Sequence, residues 1–205
     1  MRKIIICNIV SIDGYFEGPG NNVMDLFSYR LETYPEDESF DSYNAERLRS
    51  ADTLLLGRRT YEQFRGYWPF PENDPTAPGI ERETSRLMNA IDKIVISDSL
   101  NAAQTRPWDA TTTILRRADC GEKIRELKRR EGGEILVFGS RTLWNDLLRK
   151  ELVDELHLLI CPVLLGSGTP VFQGSPPACL RLIDTLTWKG SGIVLARYVV
   201  SGGLW

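Results

Sequence analysis

One histidine, His157, serves a chain of 205 residues. Zinc centres built from His and Cys need several such ligands, and a Ser-His-Asp or Cys-His triad would have to use this single imidazole. It sits in the middle of VDELHLLIC, where a partly exposed strand residue is expected. Several hydrolase classes drop out together, and no metal is expected. The four cysteines, Cys7, Cys120, Cys161 and Cys179, form no CxxC pair, and Cys7 and Cys161 fall in apolar runs where a thiol behaves as a small core residue. Neither GxGxxG nor GxxxxGK[ST] occurs, so the Rossmann fingerprint and the P-loop are both absent. The net charge is −3 and no long Lys/Arg block appears, so no nucleic-acid partner is expected. The N-terminal apolar run from Ile4 to Val10 is broken by Cys7 and Asn8 and precedes no small-residue cleavage site. It is too short for a membrane span, and the expectation is a cytoplasmic protein with no membrane contact.

What is present is an ordinary globular composition, 42% hydrophobic and 26% charged, long enough for a single domain over residues 1–205. Apolar runs at 2–10, 53–56, 93–97, 111–115, 134–138 and 153–163 read as strands. Amphipathic stretches at 40–49, from 59 onward, 81–90, 120–130 and 140–149 read as helices. Residues 11–24 read as a glycine-rich loop, and Pro69, Pro71, Pro75 and Pro78 mark another. The first two-thirds alternate strand and helix, which favours parallel pairing. The end, 180–188 and 193–200, favours an antiparallel hairpin. The predicted architecture is a three-layer α/β/α fold with a mixed, mostly parallel sheet.

One local pattern occurs twice. LLLGRRTYE sets Gly57, Arg58, Arg59 and Thr60 after a buried strand; LVFGSRTLW sets Gly139, Ser140, Arg141, Thr142 and Leu143 after Phe138, 82 positions later (57 to 139). Glycine permits a sharp turn and close approach of a ligand to the backbone, and the free N–H groups of a helix start attract anions. Helix starts normally favour acids, so each arginine there works against the dipole by about 0.3–1 kcal/mol. A bound polyphosphate reverses that sign and offers bidentate acceptors. Solvation, or pairing with an acid such as Glu62, is the plainer alternative. Two such turns at the carboxyl ends of strands suit a ligand with separated phosphates, a dinucleotide.

GRRTYE after LLL, the strand end IVIS at 94–97, and FGSRTLW resemble the dihydrofolate-reductase superfamily. The run ELVDELHLLICPVLLGSGTPVF at 151–172, with SIDGY at 11–15, is similar to the reductase domain of the bifunctional riboflavin-biosynthesis deaminase/reductase and its free-standing relatives. The resemblance implies NADPH as cofactor, with Gly57 to Thr60 on its adenosine side and the arginines at its phosphates. Ser97 would lie beside the ribose, Phe138 and Gly139 to Leu143 at the pyrophosphate, and Val10 and Ser11 beside the nicotinamide. Residues 162–169 would close over the substrate. Three departures stand out. Gly139-Ser140 replaces a Gly-Gly pair, Asp98 follows the IVIS strand where a basic residue is common, and no deaminase signature is present.

The activity so implied is hydride transfer to a small heterocycle, most like the uracil-type intermediate of riboflavin synthesis. Dihydrofolate reduction, or nucleotide binding without turnover, is the alternative. Reduction of C=N or C=O needs a proton. Asp13, in the Ile12-Asp13-Gly14 turn, and Asp41, on the helix where folate reductases carry their pteridine-binding acid, are the candidate catalytic residues. For Asp13 the alternative is a turn-forming residue, and for Asp41 an ordinary acid in a first helical turn. Apolar residues on both faces of 153–163, and Leu204 and Trp205 at the end, suggest a homodimer formed by that strand and the C-terminal strands.

Overall fold

The computed structural model describes residues 1–35, 37–174, 178–188 and 190–201. Among these, β1 (Ile4–Ser11) lies at the centre. All eight of its residues are buried, and they divide between two cores. Ile5, Cys7 and Ile9 face one layer while Ile4, Ile6 and Val10 face the other, as the two-residue period of a strand requires. β3 (Ala51–Gly57) divides likewise, Leu54 and Leu56 against Leu55, and so does β6 (Glu134–Phe138), Leu136 and Phe138 against Ile135 and Val137. Strands buried on both faces read as continuous apolar runs and need helices on each side.

The first layer is built by α2 (Ser39–Ser50), α3 (Arg58–Tyr67) and α4 (Gly79–Ala90), which contribute Tyr43, Leu48, Tyr61 and Met88. The second is built by α5 (Cys120–Arg129) and α6 (Arg141–Arg149), with Ile124, Trp144, Leu147 and Leu148. A short α1 (Ser28–Glu32) precedes α2. The three-layer expectation holds.

The main sheet has eight strands in the order β5-β4-β3-β6-β1-β7-β10-β9, where β4 is Asp92–Ile96, β5 Thr112–Leu115, β7 Glu155–Cys161, β9 Cys179–Thr187 and β10 Val194–Ser201. The pairings from β5 through β7 are parallel, and β10 and β9 add in antiparallel fashion. The chain steps outward through β3, β4 and β5, then returns to insert β6 between β3 and β1. That insertion sets the carboxyl ends of β3 and β6 side by side. Residues 11–24 are more than a loop: β2 (Tyr15–Glu17) pairs with β8 (Thr169–Pro170) in a small second sheet.

Two expectations change here. His157 is not partly exposed. It is fully buried in β7, with Nδ1 2.9 Å from the Tyr43 hydroxyl and Nε2 2.9 Å from the Glu155 carboxylate, which also accepts from Lys3 Nζ at 2.7 Å. The geometry suits the neutral ring protonated on Nε2, and burial pushes the imidazole pKa down to about 4. Secondly, β7 lies between β1 and β10 and has no free edge to offer a partner. The sheet ends at β5 on one side and β9 on the other, and on β9 the side chains of Leu180, Leu182, Ile183 and Leu186 are exposed. Leu204 and Trp205 lie outside the described residues. Among the described residues no helix is long and apolar enough to cross a membrane, and no three His, Cys, Asp or Glu side chains cluster to hold a metal.

Candidate active site

β3 ends in Gly57 and β6 in Phe138, and the two turns that follow are bonded to each other. The Gly57 N–H donates to Ser140 Oγ at 3.0 Å, and the Ser140 N–H donates to Thr60 Oγ1 at 2.8 Å. Gly139 and Ser140 both take left-handed conformations, φ +52° and +51°. Glycine is required at the first of these for a second reason as well, because a Cβ there would lie 2.7 Å from Thr60 Cγ2. At the second, serine tolerates the conformation and its hydroxyl satisfies a backbone donor of the neighbouring turn. The departure from Gly-Gly therefore ties the two helix starts together.

These turns floor a cleft of about 950 Å³. Gly57 to Thr60 and Gly139 to Leu143 all line it, so nine predicted contacts converge. Six cationic side chains surround it (Arg58, Arg59, Arg117, Arg141, Arg149 and Lys150) against three acids, Glu17, Glu62 and Asp146. Each acid is already paired: Glu17 with Arg59 at 3.2 Å, Glu62 with Arg58 at 2.8 Å, and Asp146 with Lys150 at 2.6 Å. Arg58 also reaches Ser99 Oγ at 2.6 Å. The pairing anticipated for Glu62 is thus real, yet the lining keeps a surplus of positive charge. Arg141 donates to the carbonyl oxygens of Pro170 and Phe172, and its partial burial lowers its pKa.

Asp98, where a basic residue was expected, accepts the Arg117 N–H at 3.0 Å and lies 3.6 Å from its guanidinium. The acid thereby holds a cation from the next strand end at the rim of the cleft. Arg117, Arg149, Lys150 and Glu17 were not foreseen. Arg117 was findable, since it stands two residues past the end of β5 as Asp98 stands two past the end of β4. Glu17 carried no local signal.

The remaining predicted residues stand apart from this lining. Ser97 is buried, its hydroxyl accepting from the N–H groups of Ser99 and Leu100 at 3.2 and 3.0 Å. Phe138 and Val10 belong to the cores, and the hydroxyl of buried Ser11 accepts from Tyr15 N–H at 2.8 Å. Asp13 is exposed and accepts from Leu165 and Gly166 N–H at 3.2 and 2.7 Å, pinning the 162–169 segment expected over the substrate. Hydrogen bonds, first from the Ser11 hydroxyl and then from these amides, hold its carboxyl below the usual range. It is a carboxylate at neutral pH and a poor store for a proton. Asp41, in the first turn of α2, pairs with Arg30 at 2.9 Å.

The model of the RibD C-terminal domain family matches residues 2–195. The chain belongs to the RibD C-terminal domain family. A relative within reach of sequence comparison is the uncharacterised protein YyaP of Bacillus subtilis, 29% identical over 98% of this chain and 96% of YyaP. Among solved structures, a pyrimidine reductase-like protein from Corynebacterium diphtheriae superposes with TM-score 0.64 at 16% identity, covering 98% of this chain and 93% of that one. A dihydrofolate reductase from Enterococcus faecalis, solved in complex with NADP(H), superposes with TM-score 0.58 at 11% identity over 97% and 96%. At such identities the likeness is one of fold. The fold is dihydrofolate-reductase-like, and membership of the RibD C-terminal domain family supports a reductase of that kind.

Proposed function

We propose that the chain is an NADPH-dependent reductase acting on a small heterocycle, most like the uracil-type intermediate of riboflavin synthesis. The observation that carries this is the clasped pair of glycine turns beneath a cation-rich cleft. Two helix starts on adjacent strands border one cavity, and the residues around it fit a ligand with separated phosphates. The family and the NADP(H)-bound neighbour support the same reading. When bound, the cofactor supplies the hydride, and the protein supplies position and local charge. Gly139 lets Thr60 pack against the second turn, Ser140 and Thr60 fix the distance between the turns, and the surplus arginines neutralise phosphate. The proton needed by the substrate comes from ordered water or a group other than ionised Asp13. In this reading Asp13 positions the 162–169 segment over the substrate.

The test is titration of the purified protein with NADPH, followed by cofactor oxidation at 340 nm across pyrimidine, pterin and quinone substrates. Oxidation with a pyrimidine supports the proposal, and oxidation with dihydrofolate alone supports the folate reading. Binding without oxidation would make the chain a nucleotide-binding protein.

For the expected homodimer, the C-terminal strand β9 presents an unpaired edge and four large exposed apolar side chains. We propose that two copies pair there.

A further inference from the structure

Glu17 is a carboxylate lining a cleft whose surplus charge is positive, yet it is only 6% exposed. Its depth is set by the backbone. β2 and β8 pair Glu17 with Thr169, and the approach is so close that a Cβ on Gly168, at φ +139°, would lie 2.2 Å from the Glu17 carbonyl oxygen. The side chain runs down to Arg59, its two oxygens 3.5 and 3.2 Å from Nη1 and Nη2. That paired contact uses the donor face of a guanidinium that fits phosphate. Arg59 Nη2 also donates to the Asn21 carbonyl at 3.3 Å, so the guanidinium is held on this side of the cleft. The Glu17 charge acts on Arg141 too, and Arg141 grips the Pro170 carbonyl of the strand paired with β2.

We propose that Glu17 is a specificity-determining residue of the cleft, an internal anion seated on Arg59 that a ligand phosphate must replace. The inference rests on the cleft being a dinucleotide site. A small anion that takes Arg59 gains one guanidinium contact and breaks another of the same kind, leaving a buried carboxylate without its cation. It gains little. A dinucleotide anchored at the second turn, at Gly139 and Ser140, brings its other phosphates to Arg59 at high effective concentration and displaces the carboxylate. Glu17 thus makes the cleft discriminate by the number and spacing of phosphates rather than by charge alone.

Calorimetric titration of the full chain with inorganic pyrophosphate and with NADPH, each at several salt concentrations, tests this. Glu17→Gln should bind pyrophosphate about tenfold tighter than the parent, gain less for NADPH, and show a steeper salt dependence because Arg59 is no longer neutralised. In an Arg59→Ala background the same substitution should keep only a small part of that gain, through the Glu17 charge felt by Arg141. Equal or weaker pyrophosphate binding by Glu17→Gln, or the full gain persisting without Arg59, overturns the proposal. If near-UV circular dichroism shows Glu17→Gln misfolded, Glu17→Asp retains the charge but falls one methylene short of Arg59, and an intermediate gain is expected. A parent protein that binds no NADPH would refute the dinucleotide reading, while the pyrophosphate comparison would still decide the role of Glu17.

Discussion

Acid should weaken this fold through His157 before it touches most carboxylates. The imidazole is fully buried between Tyr43 and Glu155, and burial outweighs the carboxylate's attraction, helped by the charges of Arg197 and Arg47, so that its pKa falls from 6.5 to about 4. The folded value lies below the unfolded one, so the unfolded chain takes the proton first. The neutral ring's contribution is therefore complete above about pH 6.5 and is lost as pH falls toward 4. Over the full window this amounts to about 3 kcal/mol, of which about 2 kcal/mol is lost by pH 5. Glu155, whose own pKa is lowered, adds its own loss of stability only as pH falls toward the ordinary carboxylate range, below most of this window. The perturbation is His157→Gln, whose amide oxygen can accept from Tyr43 and whose NH2 can donate to Glu155 without titrating. Urea unfolding followed by tryptophan fluorescence at pH 7 and pH 5 gives the stability difference for parent and variant. The parent should lose about 2 kcal/mol more than the variant between the two pH values. The same pH dependence in both would refute the reasoning, because it would mean that the folded ring protonates as easily as the free one.

Three further outcomes follow from the site and the sheet. Gly139→Ala should lower stability by about 2 kcal/mol and weaken NADPH binding at least tenfold, since both its φ and the contact with Thr60 oppose a Cβ; pairing it with Thr60→Ser should recover part of the loss in both thermal melting and titration. If Arg58 meets a 2′-phosphate, the parent should prefer NADPH over NADH by about tenfold or more, about 1.4 kcal/mol, and Arg58→Ala should shrink that preference; equal affinities in the parent would count against it. Light scattering at micromolar concentration should report a dimer, and Leu182→Lys with Ile183→Lys should leave a monomer of 23.2 kDa that still melts cooperatively.

Local chemistry was legible in the sequence. Gly57 and Gly139 announce themselves because a glycine between an apolar run and an amphipathic one marks a turn whatever the rest of the chain does. The parallel core was legible too, since LLL, ILVF and IIIC are runs buried on both faces. What escaped depends on pairing at a distance. β2 and β8 have three and two residues, too few to show a period, and they meet only because the 162–169 segment folds back on Asp13. Without that pairing nothing marks Glu17 as a cleft residue. VDELHLLIC suggests a partly exposed His157 because it contains polar residues at intervals, and alternation usually means one wet face. Here the polar positions form their own buried network of Glu155, His157 and Tyr43. Lys93 was hidden in the same way: it is wholly buried, with Nζ donating to the Ile91 carbonyl at 2.6 Å and 4.5 Å above the Trp108 ring. Asp41 lies in the first turn of α2 beside Arg30, a pairing that no local pattern announces.

The central place of β1 also bears on how the chain comes off the ribosome. Both of its sheet neighbours are made late, Ile4 pairing with Ile135 and Ile5 with Glu155. At ordinary rates of translation, Ile4–Ser11 therefore waits about 7–30 s for the strands that will cover its edges. Meanwhile β3, β4 and β5 pair in order of synthesis and can assemble with α3 and α4 as a partial sheet. β1 then enters only when β6 and β7 arrive, a high-contact-order step that makes completion of the sheet slow. The run IIICNIV is accordingly the core strand that waits longest for its neighbours, and substitutions that delay β6 or β7 should lower soluble yield more than they lower the stability of the finished protein.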